Sequence, residues 1–178
     1  GSASLVNTSS IFTKVYFPRI IIPLTPVISK LFDFFISLAI LVILMVYYNY
    51  YPGINIIYFF WPLFVLVTTT AGLSFLFSAL SLQYRDVRFA LQFLVTILLY
   101  AAPIVFPATL IQEKFGTTMY YVYACYPLVG GIQGFRECYA HDAFPVVLVS
   151  ISTISSLILF FLGLTYFKKT ENYFADVA

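Results

Sequence analysis

Long apolar stretches that carry almost no charge limit what this chain can fold into. A helix needs about 20 apolar residues to cross the hydrocarbon core of a bilayer. Four stretches approach or exceed that length, at about Leu31 to Tyr50, Ile54 to Leu82, Phe89 to Phe106 and Phe144 to Phe167. They predict four membrane-spanning helices, of which the second is long enough to tilt and the third is short.

The composition agrees with a membrane protein. Of 178 residues, 62% are hydrophobic and only 9% are charged, whereas soluble domains carry about 25% charged residues. The net charge of +2 gives no indication of a nucleic-acid partner. We therefore expect an all-α integral membrane helical bundle, embedded in the lipid bilayer and without nucleic acid.

The two cysteines, Cys125 and Cys138, form no CxxC motif, and the sequence contains no His/Cys cluster that would predict a metal site. Both would lie on the oxidising side of the membrane, where a disulfide can form. Buried cysteines in a membrane protein also serve as small packing residues. Both interpretations remain open from the sequence.

The positions of lysine and arginine predict the orientation. If the four spans alternate, one side of the membrane receives seven of the nine basic residues, namely Lys14, Arg19, Lys30, Arg85, Arg88, Lys168 and Lys169. The other side receives Lys114 and Arg136. Because cytoplasmic loops are enriched in Lys and Arg, both ends of the chain are predicted to be cytoplasmic.

A short charged turn separates the second and third stretches. It lies within LQYRDVRFALQFL, and its polar residues are Tyr84, Arg85, Asp86 and Arg88. Two arginines can anchor an inner-leaflet turn while the aspartate offsets their repulsion. The alternative is a surface that contacts a partner. The sequence has no phosphate-binding GxxxxGK[ST] loop and no Ser/His/Asp set, so we expect no catalytic residues.

The segment before the first stretch alternates cationic, aromatic and proline residues. Residues 14–19 read KVYFPR and predict a short amphipathic element at the cytoplasmic surface. Such an element either docks into a groove of a partner protein or anchors the chain in the interface. Pro18, Pro23 and Pro26 predict that no single helix runs through this segment.

Lys30 and Asp33 stand three residues apart at the inner end of the first predicted span. This spacing places both side chains on one face of a helix. They are expected to pair with each other or to extend to the interface. The alternative is that one of them faces a lumen.

The stretch from Pro107 to Ala143 is apolar and aromatic, yet glycines and prolines interrupt it. It predicts one or two half-helices that dip into the outer half of the membrane, since irregular backbone is tolerated there only inside protein or beside a wet cavity. Its tyrosines would suit a wall for sugars, and they would equally suit an interfacial aromatic belt.

Five motifs occur in an order and spacing similar to one family. They are KVYFPRIIIPL (14–24), YRDVRFALQFL (84–94), APIVFP (102–107), PLVGGIQGFR (127–136) and GLTYFKKTENYFADV (163–177). Together they resemble the permease subunit of type-two ABC exporters that carry polysaccharide, such as O-antigen, capsule or teichoic acid.

The resemblance implies a role for each motif. The coupling helix that docks on the ATPase would comprise Lys14, Val15, Tyr16, Phe17, Pro18 and Arg19. The second cytoplasmic turn would comprise Tyr84, Arg85, Asp86 and Arg88. The periplasmic gate would include Pro127, Gly130, Gly131, Phe135 and Arg136. Residues 171–177 resemble the cytoplasmic tail.

It also implies partners and a location. Two permease copies would form a channel in the bacterial cytoplasmic (inner) membrane, and a separate nucleotide-binding subunit would bind ATP and Mg²⁺, so that this chain holds no cofactor itself. A lipid-linked glycan would be the substrate. Aromatic side chains at Phe93, Tyr100 and Tyr123 would line its path. The alternatives are a permease for small lipids or drugs and a membrane scaffold that transports nothing.

The chain departs from the family pattern in two respects. Tyr126 precedes Pro127, where family members usually have asparagine. The family also has six spans, and the first and most of the second are missing here, so the chain is expected to be about two thirds of a permease. Its expected parts are 1–30 (the end of the second span and the coupling helix), 31–106 (three spans), 107–143 (the gate region), 144–167 (the last span) and 168–178 (the tail).

Overall fold

The structure is a computed structural model that describes residues 20–51, 53–83, 87–104, 106–140 and 143–175. The predicted coupling helix at 14–19, the polar residues Tyr84, Arg85 and Asp86, and His141 lie outside these ranges. The side chains of Arg88 and of residues 171–175 are also outside what the structure describes.

The described ranges are helical and contain no strand. The α-helices are α1 (Ile21–Tyr47), α2 (Phe60–Gln83), α3 (Val87–Ala101), α4 (Thr109–Ala124), α5 (Pro127–Tyr139) and α6 (Val146–Ala175), with a 3-10 helix at Ile54–Phe59 that leads into α2. By length and composition, three stretches can cross a membrane: Pro23–Tyr47, Ile54–Ser81 and Val146–Thr170. The predicted all-α membrane bundle is confirmed.

The third predicted span is shorter than the other three. It forms the 15-residue helix α3, which at 1.5 Å per residue is about 22 Å long, against about 30 Å for the hydrocarbon core. The helix ends at Ala101, and Pro103 follows two residues later. Residues before a proline are disfavoured in helical conformation, which explains why the helix does not continue to Phe106.

Helix α1 begins at Ile21, ahead of the predicted start at Leu31, and it runs through two prolines. The prediction that Pro23 and Pro26 exclude a single helix is therefore wrong for the described part of this segment. Pro23 lies in the first turn, where its missing N–H needs no partner. Pro26 costs one backbone hydrogen bond close to the helix start, where the helix has least to lose.

The other end of α1 closes in the Schellman arrangement. Asn49 adopts the left-handed conformation with φ of 53°. The amide of Asn49 donates to the Val46 carbonyl and the amide of Tyr50 donates to the Met45 carbonyl. The helix thus ends at Tyr47, near the predicted end of the span at Tyr50, and Asn49 is the residue at which the chain leaves the helix.

Helices α2 and α6 pack most extensively, and their backbones touch where two glycines meet. A Cβ atom added to Gly163 would collide with the carbonyl oxygen of Gly72, and one added to Gly72 would lie 2.8 Å from the Cα atom of Phe160. Small residues allow membrane helices to approach this closely. On one side of the crossing, Phe75 and Phe167 are buried against each other with ring centroids 5.7 Å apart.

Helix α4 is broken at Gly116, which has φ of 83° and ψ of 173°. Only glycine adopts this conformation readily. The break leaves an exposed first half, whereas the second half buries Tyr120 and Ala124 against α5 and α6. The expectation of half-helices in this stretch therefore corresponds to the two pieces of α4 followed by α5.

Replacing Gly163 by alanine tests the α2–α6 crossing. Inside a helix, alanine is normally more stable than glycine by about 1 kcal/mol. Here the added methyl group meets backbone atoms of α2, so we expect a loss of about 1–3 kcal/mol. Thermal unfolding of the purified protein in detergent would measure it.

Thr165→Ala is the matched control, since it adds the same residue to α6 at an exposed position. Its midpoint should change little. An unfolding midpoint of Gly163→Ala equal to or above that of the control would contradict the close crossing.

Candidate functional site: the α4–α5 segment

Helix α5 carries the predicted gate residues, and its glycines face the two central helices. A Cβ atom on Gly131 would collide with the Leu66 side chain of α2, and one on Gly134 would lie 3.0 Å from the Pro62 ring. Gly130 meets Ser152 of α6 in the same way. The absence of side chains at these positions lets α5 lie directly on α2 and α6.

Ser152 joins three helices through one buried hydroxyl. Its Oγ donates to the Ala124 carbonyl at the end of α4, at 2.7 Å. It also accepts a hydrogen bond from the amide of Gly130 in the first turn of α5, at 3.1 Å. The joint between α4 and α5 is thereby fixed to α6, with no water needed at either group.

A polar network follows along α5. Gln133 is only 1% exposed. Its Oε1 accepts from the Ala108 amide at 3.1 Å and from Arg136 Nη1 at 3.3 Å, while its Nε2 donates to Glu137 Oε1 at 2.7 Å. Both polar atoms of this buried amide group therefore have partners. The bond from Ala108 fastens α5 to the α3–α4 connection, whereas the bonds with Arg136 and Glu137 lie within α5.

The second carboxylate oxygen of Glu137 is buried and has no hydrogen-bond partner among the described residues. It lies near Tyr120, whose pKa is raised by burial and further by the negative charge of Glu137.

Arg136 reaches from α5 to the chain that follows α3. Its Nη2 donates to the carbonyl oxygens of Pro103 and Ile104, each at 3.2 Å. Two carbonyls and one amide oxygen thus surround a single guanidinium, whose planar fork can donate to several acceptors at once. Arg136, one of the predicted gate residues, therefore links α5 to the chain that follows α3.

Phe135 contacts a different part of the bundle, formed by α1 and the 3-10 helix. Its ring lies 5.5 Å from the ring of Phe34 in α1 and 5.1 Å from the ring of Phe59 in the 3-10 helix. Pro127 is buried at the first position of α5, where proline is favoured. The five predicted gate residues therefore lie on one helix, but they contact different neighbours.

Two tyrosine hydroxyls donate to the end of α3. Tyr123 donates to the Ala101 carbonyl at 2.5 Å and Tyr126 donates to the Leu98 carbonyl at 2.9 Å. Burial raises the pKa of Tyr123 to about 12, so this hydroxyl keeps its proton and remains a donor throughout the physiological pH range. The Ala101 carbonyl lies at the helix C-terminus, where carbonyls lack partners within the helix, and Tyr123 supplies one. The Leu98 carbonyl also accepts from the Ala102 amide, so Tyr126 is its second donor.

The predicted path aromatics do not form one cluster. Phe93 and Tyr100 are 71% and 75% exposed on α3. Tyr123, in contrast, is half-buried with its hydroxyl bonded to the α3 backbone. The structure therefore leaves two of the three rings free for an external ligand.

The structure also shows whether the Lys30–Asp33 pair and the two cysteines form the bonds considered in the sequence analysis. Lys30 Nζ and Asp33 Oδ2 are 2.8 Å apart on an exposed face of α1, which confirms the predicted pairing. Cys125 and Cys138 are free thiols, the first exposed and the second buried. Burial, with a smaller contribution from Glu137, raises the pKa of Cys138 to about 11 and keeps it protonated.

Several residues of this site escape sequence reasoning. Ser152, Gln133 and Tyr126 each make buried or half-buried bonds between elements. One signal was present, because residues 150–156 read SISTISS inside a span, and hydroxyl residues in membrane helices often mark helix contacts. Nothing in the sequence indicates which carbonyls Tyr126 and Arg136 would reach.

Comparison with known proteins supplies the family relationship. Two proteins from Klebsiella pneumoniae, both described as O-antigen export system permease protein RfbA, are 27% identical to this chain over 176 and 178 residues. A protein of the same description from Myxococcus xanthus is 23% identical over 180 residues. The chain is similar to these O-antigen export permeases over nearly its whole length. This confirms the resemblance to type-two polysaccharide export permeases that the five motifs indicate.

The alignments with these RfbA permeases cover 98–99% of this chain and 66–67% of the relatives, so the chain spans about two thirds of their length. No protein-family model matches the chain, and no solved structure matches it significantly. The relatives and the apolar helices together identify a multi-pass membrane protein.

Replacing Ser152 by alanine tests the three-helix joint. It leaves the buried Gly130 amide without this partner, which costs about 1–3 kcal/mol. We expect a lower unfolding midpoint for the purified protein in detergent. Ser150→Ala is the matched control, since the Ser150 hydroxyl donates to the Val146 carbonyl of its own helix. Equal midpoints for the two variants would contradict the joint.

Proposed function

We propose that this chain forms part of the membrane subunit of an ATP-driven exporter that moves lipid-linked polysaccharide across the bacterial cytoplasmic membrane. The observation that carries the proposal is the alignment of nearly the whole chain with O-antigen export permeases. The helical bundle, with three stretches long enough to span a bilayer, supports it.

The energy for transport comes from a partner in this proposal. The sequence has no GxxxxGK[ST] loop to hold nucleotide phosphates. A separate ATPase subunit therefore binds ATP and Mg²⁺, and this chain carries no cofactor. Residues 14–19 dock in a groove of that subunit, and the turn at residues 84–88 faces it from the same side of the membrane.

The orientation follows from the basic residues. With both ends of the chain cytoplasmic, the α4–α5 segment lies at the periplasmic end of the bundle. It then stands where a substrate leaves the membrane, which is the position of a gate. The bonds of Gln133 and Arg136 to the α3–α4 connection give this gate a fixed resting position.

The substrate path lies between two copies of the permease and is lined in part by α3. Phe93 and Tyr100 are exposed on this helix, and aromatic faces hold sugars by stacking without fixing them in one place. Tyr123, the third predicted path residue, is half-buried, and its hydroxyl holds the end of α3.

The coupling element is tested in cells that carry the full-length permease and its ATPase. Phe17→Ala and Arg19→Ala remove the aromatic and cationic groups of residues 14–19. Truncating an interface anchor typically costs 2 kcal/mol or more, which corresponds to roughly a 30-fold weaker contact. We expect lower ATPase stimulation and a loss of surface glycan, measured by hydrolysis assay and by glycan staining.

Lys168→Ala serves as the control, because it removes an exposed basic side chain at the same predicted face of the membrane. Unchanged ATPase stimulation and unchanged surface glycan in the Phe17 and Arg19 variants would contradict the coupling role. Normal surface glycan after deletion of the permease itself would contradict polysaccharide export.

A further inference from the structure

Side chains from the α4–α5 segment bind carbonyl oxygens at the end of α3 and in the chain directly after it. The donors are Tyr123, Tyr126 and Arg136, and the acceptors are the carbonyls of Leu98, Ala101, Pro103 and Ile104. We call this set the carbonyl latch. It supplies donors to carbonyls at and just beyond the helix end, and it places a positive charge near the negative end of the helix dipole.

Helix α3 has few other attachments. It packs against α2, and Leu91 is its only buried residue among the positions whose burial is described. Its exposed side chains include Phe89, Phe93 and Tyr100. Because α3 buries so little surface among the described residues, the bonds of the carbonyl latch are the main attachment of its far end.

The two sides of the latch differ in how firmly they are anchored. Helix α5 lies on α2 and α6 through its glycines, and Ser152 fixes the start of α5. Helix α4 is interrupted at Gly116, ahead of Tyr123. A displacement of α3 would therefore act through the latch on the joint between α4 and α5.

We propose that Tyr123, Tyr126 and Arg136 are positioning residues that transmit movement of α3 to the α4–α5 gate. The inference rests on the proposed export function. Helix α3 starts next to the charged turn that faces the ATPase in that proposal, and it is a single rigid helix about 22 Å long. Energetic coupling between distant sites travels through such rigid elements and the hydrogen bonds at their ends.

The test uses the full-length permease with its ATPase, reconstituted in liposomes with lipid-linked glycan. The quantity measured is glycan exported per ATP hydrolysed. Tyr123→Phe and Tyr126→Phe each remove one hydroxyl and keep the ring, so ring packing is preserved. We expect export per ATP to fall about fivefold for each hydroxyl removed, while the ATPase rate stays within about twofold.

Arg136→Lys separates charge from geometry. Lysine keeps the positive charge at the end of α3, but its ammonium cannot reproduce the planar fork that serves two carbonyls and Gln133. We expect it to restore part of the export per ATP that Arg136→Gln loses. Tyr121→Phe is the matched control for the two tyrosine variants. Tyr121 lies on α4, as Tyr123 does, but it is exposed and is not part of the latch.

The outcomes distinguish the latch from the export function. If the unmodified complex exports no glycan, the proposed function fails. If it exports glycan and the latch variants match Tyr121→Phe in export per ATP, the latch proposal is overturned. A parallel loss of ATPase rate and export would also overturn it, since that pattern indicates a structural role alone.

A second measurement needs no variant. In hydrogen exchange of the unmodified complex, amides at 98–104 and at 123–136 should change protection together between the nucleotide-free and ATP-bound states. Independent changes in the two stretches, or no change in either, would overturn the latch.

Discussion

The contact between the backbones of α2 and α6 at Gly72 and Gly163 supports the rest of this bundle. In lipid, apolar burial gives helices little reason to associate, so close packing and hydrogen bonds must hold them together. The two glycines bring the helices close enough for Trp61 to donate to Thr153, at 2.9 Å, and for Thr68 to donate to Ser156, at 3.2 Å. These bonds add direction to a contact that van der Waals packing alone would leave free to slide.

The α4–α5 segment depends on that platform. Its glycines fit α5 onto both central helices, and Ser152 ties its joint to α6. Helix α3 depends in turn on the α4–α5 segment, because Tyr123 and Tyr126 donate to carbonyls near its end and Arg136 binds the chain that follows it. The bundle thus has a firmly packed centre and, in α3, a helix with little buried surface among the described residues. Regions with few buried contacts open at a lower free-energy cost than a packed core.

The membrane spans can be predicted from the sequence, but the contacts between the helices cannot. Length and hydropathy predict α1, α2 and α6, because a helix must carry about 20 apolar residues to cross the bilayer and such runs can be recognised in the sequence. The helix ends are harder to predict. Helix α1 begins before Pro26 and runs through it, and α3 ends at Ala101, ahead of Pro103. The glycines of α5 are predictable as part of a motif, whereas their contacts with Leu66 and Ser152 depend on how α5 is rotated about its axis. The acceptors of Arg136 could not be predicted, because they are backbone carbonyls, which every residue carries whatever its side chain.

Distances between spin labels in the full-length permease with its ATPase test the central claim most directly. One label pair joins exposed positions of the platform, Phe64 on α2 and Ile154 on α6, and a second joins Val95 on α3 to Ile154. A packed centre with a mobile α3 predicts that ATP binding changes the Val95–Ile154 distance and leaves the Phe64–Ile154 distance unchanged. A changed Phe64–Ile154 distance beside a fixed Val95–Ile154 distance would contradict it.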